Sequence, residues 1–156
     1  MRAAVLHEYG VPRAGEFAEP VACPEQAVVE VLAAGVNPVD AAISAGRFYG
    51  GRPSLPSVAG REGVATLDGE RVYFDAPVAP FGSMAERALI DPRATYRIPD
   101  EVDDGLAVAL GISGLAAGQE PSSEVSDRPS WSPPVKIAAK YLAPYLERRD
   151  RDSAPA

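Results

Sequence analysis

Residues 63–74, GVATLDGERVYF, constrain the fold more than any other stretch of this 156-residue chain. Val64 and Thr66 precede the pair Asp68-Gly69, and Val72 and Phe74 follow it. Glycine adopts the positive φ of a tight turn freely and aspartate tolerates it, so the segment predicts a hairpin or a close strand connection. The surrounding chain is punctuated in the same way. RAAVL at 2–6 predicts a short strand, and AVVEVLAAGV at 27–36 alternates before becoming wholly apolar, as a strand entering a core does. MAERALI at 84–90 alternates apolar with charged residues until Asp91-Pro92 ends it, and TYRIP at 95–99 adds a short extended piece. Short strands this close together predict a barrel or a sandwich. Two helices interrupt them, over 38–46 with Pro38 in the tolerant first turn, and over 103–117.

The length suits one domain, able to bury about two-thirds of its unfolded surface. A net charge of −7 argues against nucleic acid or an anionic membrane as partner, because both repel an acidic chain. No run is long enough to span a bilayer, and MRAAVLHEYG lacks the apolar core of a signal peptide, so the expectation is a cytoplasmic protein. Cys23 is the single cysteine, which excludes an internal disulfide and a thiolate cluster; it is expected to be a buried or half-buried thiol. His7 has no second histidine or nucleophile beside it in a recognisable pattern and is expected to face solvent or the backbone. No Gly-x-Ser-x-Gly or Ser/His/Asp pattern supports hydrolase chemistry.

In order along the chain, GVNPVDAAISAGRFYG, LPSVAGREGVATL, GERVYF, FGSMAERALI and YRIPDEV resemble the catalytic domain of the medium-chain dehydrogenase/reductase superfamily. More narrowly, they are similar to its zinc-independent quinone oxidoreductase branch. The resemblance covers about residues 1–117 and implies a mainly β domain with short helices, the distorted barrel of the GroES chaperonin cap. In zinc-dependent relatives the stretch matching Asn37 to Asp40 carries a Cys and a His or Asp, and the position matching Arg61 carries a His before a Glu. A permanently cationic guanidinium has no lone pair to donate to zinc, so no metal site is expected. Asp40 and Glu62 beside Arg61 suggest an ion pair instead. The resemblance further implies that the Asn37 amide faces the nicotinamide cleft and that a tyrosine near Tyr49 lines the substrate side. There a phenol would donate a proton to the developing oxyanion, a contribution of about 10²- to 10⁴-fold. Phe48, Tyr49, Asp40 and Glu62 are the candidate substrate-side residues, and Tyr49, Asn37 and Arg61 the candidate catalytic ones. For Tyr49 and Phe48 the alternative is a cap on the barrel, for Asn37 an Asx turn before Pro38, and for Asp40 a local cap or arginine partner.

A complete member of this family continues into a doubly wound domain whose glycine-rich turn seats the cofactor pyrophosphate. After Gly118 this sequence has no glycine, and 38 residues follow. The expectation is therefore that the isolated chain holds no cofactor, and that NADPH binds only with a separate nucleotide-binding chain. QEPSSEVSDRPSWSPP reads as a Pro/Ser-rich linker over 118–134, and 135–149 as an amphipathic helix bent at Pro144, before a disordered tail at 150–156. Three function classes follow. The first is the substrate-side domain of an NADPH-dependent reductase of quinones or enones. The second is a cofactor-independent isomerase, cyclase or lyase acting on a small apolar molecule, with Tyr49 as acid, Asn37 as orienter and Arg61 as anion holder. The third is a non-catalytic binding module.

Overall fold

The computed structural model describes residues 1–112. The linker, the C-terminal helix and the tail expected from the sequence lie outside the described residues, as does the part of the second helix beyond Ile112. The described part is mainly β. Its strands are β1 (Arg2–Leu6), β2 (Arg13–Glu16), β3 (Ala27–Ala34), β4 (Ser57–Val58), β5 (Gly63–Leu67), β6 (Glu70–Phe74), β7 (Arg87–Ile90) and β8 (Thr95–Arg97). Two helices, α1 (Pro38–Ser44) and α2 (Asp104–Leu110), complete the set with one 3-10 turn, Pro92–Ala94.

The hairpin forms where the turn chemistry puts it. Asp68 and Gly69 take φ of 51° and 83°, and the flanking strands pair from Gly63 opposite Phe74 to Leu67 opposite Glu70. Around this hairpin a five-stranded antiparallel sheet is ordered β7-β3-β5-β6-β8, and a three-stranded sheet is ordered β2-β1-β4. Both faces of the hairpin are covered, because consecutive residues point to opposite sides of a strand. Ala65 and Phe74 join Val29, Ala88 and Ile90 on one side; Val64 and Tyr73 join Ile98 and Val102 on the other, closed by Leu106 and Val108 of α2. Val31 pairs with Ala65 and Ala33 with Val64, so Leu32 is an unpaired bulge residue. A bulge of this kind bends the strand and increases its twist.

The sheets are linked by residues 84–86. Ala4 donates its amide to Met84, Glu86 donates to Arg2, and Val31 donates to the Glu86 carbonyl, so this segment hydrogen-bonds β1 and then β3. That is why the strand expected over 84–90 is limited to Arg87–Ile90: its first half serves the other sheet. The strand expected over 27–36 ends at Ala34, since the Gly35 amide turns to the Glu62 carbonyl. The helix expected over 38–46 ends at Ser44, and Gly46, at φ 67°, takes the chain out of helical geometry. Cys23 is exposed rather than buried, because it opens a surface turn in which its carbonyl accepts the Gln26 amide and its own amide donates to the Gln26 side chain. His7 is exposed.

Candidate ligand groove and the buried Glu62 network

The segment 60–62 sits between two different environments. Gly60 and Arg61 line an open groove of about 360 Å³, whereas Glu62, the next residue, is 1% exposed. Carboxylates are almost never this buried unless their oxygens are satisfied. Glu62 meets that requirement with three donors. Asn37 Nδ2 donates to Oε1 at 2.5 Å; the Tyr73 hydroxyl donates to Oε2 at 2.5 Å, and the Ile112 amide donates to the same oxygen at 2.8 Å. One side chain thus ties the entry of β5 to the start of α1, the middle of β6 and the end of α2.

Sheet register explains the juxtaposition. Tyr73 pairs with Val64, and Glu62 lies two residues before Val64, so all three fall on one face. Burial, followed by the bond to Glu62 and the nearby carboxylate charge, raises the Tyr73 phenol far above its ordinary value. Room for the carboxylate comes from glycine at two positions. A Cβ at Gly35 would sit 2.5 Å from Glu62 Oε1, and one at Gly111 would overlap Glu62 Oε2 and the Tyr73 hydroxyl.

Asn37 caps α1, and its backbone amide donates to Asp40 Oδ2 at 2.7 Å. Asp40 is therefore a local helix cap, the alternative open to it in the sequence. The ion pair expected between Arg61 and Asp40 or Glu62 does not form among the described residues: Asp40 closes the helix start, and Glu62 is saturated by an amide, a phenol and a backbone N–H.

The groove is also lined by Ile43, which lies on α1 with Asp40, and by Phe48, Pro53, Ser57, Val58 and Phe81. Phe48 and Arg61 thus share one groove. Tyr49 is not among its lining residues; its ring is 96% exposed and stands 4.4 Å from Phe48, tilted by 47°. Asn37, Asp40 and Glu62 are brought together, but under the surface rather than on the groove wall. Tyr73 is a member of the network that no sequence motif marks. Its signal is the register of the Asp68-Gly69 hairpin, which puts it on the side of Glu62.

No group of three or more His, Cys, Asp or Glu among the described residues is placed to hold a metal ion. None of the described helices is long and apolar enough to cross a membrane.

A mainly β domain of two bridged sheets is the GroES-like class of its structural neighbours, and the comparisons show which proteins it resembles. Over three-quarters of its length the chain is similar in sequence and in fold to quinone oxidoreductases of the medium-chain dehydrogenase/reductase superfamily. It is 32% identical over 132 residues to a quinone oxidoreductase of Lama guanicoe, and 29% identical over 132 residues to the Homo sapiens one. Each alignment covers 75% of this chain and 39% of the relative. Among solved structures, the quinone oxidoreductase of Thermus thermophilus, also studied in complex with NADPH, superposes with a TM-score of 0.67 at 30% identity. That superposition covers 75% of this chain and 38% of the other. An alcohol dehydrogenase superfamily protein from Novosphingobium aromaticivorans gives a TM-score of 0.64 at 27% identity. No family model matches the chain. The chain spans about two-fifths of the length of these relatives.

Proposed function

We propose that residues 1–112 form the substrate side of an NADPH-dependent reductase of quinones or enones, working without zinc and completed by a separate nucleotide-binding chain. The observation that carries this reading is the shared use of two segments. Helix α1 supplies Ile43 to the groove and its capping residue Asn37 to the buried network, while residues 60–62 supply Arg61 to the groove and Glu62 to the network. A rigid polar support behind an open, largely apolar groove suits a flat electrophile that has to be held still against a second reactant.

The described residues fit NADPH in part. Asn37 is the residue assigned to the nicotinamide side, its amide oriented by Glu62 at 2.5 Å. The described sequence has no G-x-G-x-x-G turn, so the pyrophosphate would have to be seated by other residues. When bound, NADPH supplies the hydride. This chain's residues bind the acceptor between Phe48 and Arg61 and deliver a proton to its reduced oxygen. Tyr49 is the proton donor in this proposal, and it needs further protein over it to become a positioned acid, since it is fully exposed among the described residues.

The test is a chimera in which these residues replace the matching part of the Thermus thermophilus enzyme. Reduction of 1,4-naphthoquinone by NADPH is expected, with kcat falling about 10- to 100-fold in the Asn37→Ala chimera, as for loss of an orienting contact. A folded, NADPH-binding chimera without quinone reduction would defeat the proposal.

A further inference from the structure

The groove differs in charge from the rest of the molecule. The chain carries a net charge of −7, yet the groove wall contains two arginines, Arg52 and Arg61, and no Asp or Glu. The two arginines are differently committed. Arg52 Nε donates to the Gly46 carbonyl at 3.0 Å, and its guanidinium lies 5.5 Å from the centre of the Tyr9 ring, so Arg52 is anchored to the wall. Arg61 is half-buried and makes no hydrogen bond or ion pair with another described residue. The adjacent carboxylate does not neutralise it, because Glu62 is turned inward and occupied by Asn37, Tyr73 and Ile112.

A half-buried cation without a counter-charge favours a ligand that brings one. The guanidinium fork matches a planar oxyanion through two parallel hydrogen bonds. The same lining includes Phe48, Ile43, Val58 and Phe81, which offer apolar surface, and Ser54 and Ser57, which add hydroxyls. The volume of about 360 Å³ falls at the small end of ligand sites.

We propose that this groove binds a flat apolar molecule bearing a carboxylate or other oxyanion, and that Arg61 is the group that selects it. The proposal names the ligand class of the groove on which the proposed function rests, but it requires no hydride transfer. A cofactor-free titration therefore separates its failure from failure of the reductase reading.

The experiment is calorimetric titration of the full chain with 2-naphthoate, with the neutral and similarly shaped 2-acetonaphthone, and with inorganic phosphate. The expected result is about tenfold or more tighter binding of 2-naphthoate than of the ketone, from one charge-assisted contact, and no measurable binding of phosphate alone. Arg61→Gln removes the difference, Arg61→Lys keeps part of it, and Arg97→Gln, a surface charge paired with Glu70 away from the groove, leaves it intact. Equal affinity for the two naphthyl compounds, absence of binding included, would overturn the proposal, as would a preference that survives Arg61→Gln. Phosphate binding as tight as that of 2-naphthoate would overturn the apolar half of it.

Discussion

At the scale of single residues, Glu62 decides more than any other side chain. Removing it orphans three donors in a place water does not reach, so Glu62→Ala is expected to cost about 2–4 kcal/mol in urea unfolding, and Glu62→Gln about 1–3 kcal/mol. The glutamine cost arises because its NH₂ group must face a donor. Tyr73 gives a pH signature. Its phenol is raised in the folded state, so its contribution to stability is fully present below the unfolded value near 10 and is lost as the pH climbs above that toward the folded value. Stability measured between pH 9 and 11, about the unfolded tyrosine range, should therefore fall more steeply for the parent chain than for Tyr73→Phe. Parallel curves would remove Tyr73 from this role. Asn37 and Glu62 are legible as candidates through family resemblance, but the contacts that join them to each other and to Tyr73 are not visible in composition or in a motif. Glu62 and Asn37 lie 25 residues apart, and only the hairpin register and the turn of β3 into α1 bring them together. Arg61 and Phe48 are legible as site candidates through family resemblance, whereas the exposure of Tyr49 is not, because the glycines that follow it leave its direction open to tertiary context.

At the scale of elements, what the sequence reveals depends on how local the cause is. The β5–β6 hairpin is readable because two residues carry its turn. Gly69 has open space around its α-carbon, so Gly69→Ala has only a backbone cost, expected at about 1–2 kcal/mol with the groove unaffected. Thermal melts together with a 2-naphthoate titration check both halves. At Gly111, the residue that caps the end of α2, the cost is steric instead: a methyl there collides with Glu62 and Tyr73, so Gly111→Ala should cost about 1–3 kcal/mol. Strand β2 is silent in the sequence because RAGE has no apolar residue beyond alanine; all four positions are exposed, and backbone pairing with β1 makes it a strand. The two-residue β4 is held by the same neighbour, through Val5 opposite Val58. MAERALI reads as one strand because no Gly or Pro interrupts it, and its division between two sheets is a property of the tertiary arrangement rather than of the run.

At the scale of the whole molecule, the fold class, mainly β with short helices, follows from punctuation and from resemblance, and the same two lines lead to the quinone oxidoreductase-like group. The chain matches those relatives over 38–39% of their length, and its described residues contain a groove and a polar support but no glycine-rich phosphate cradle. The central proposal is a division of labour, in which these residues would grip the acceptor and a separate chain would grip the nucleotide. Titration of NADPH into the full chain, followed by NADPH fluorescence and calorimetry, tests it most directly. The account predicts no saturable binding through millimolar NADPH, and a micromolar dissociation constant for the chain by itself would contradict it.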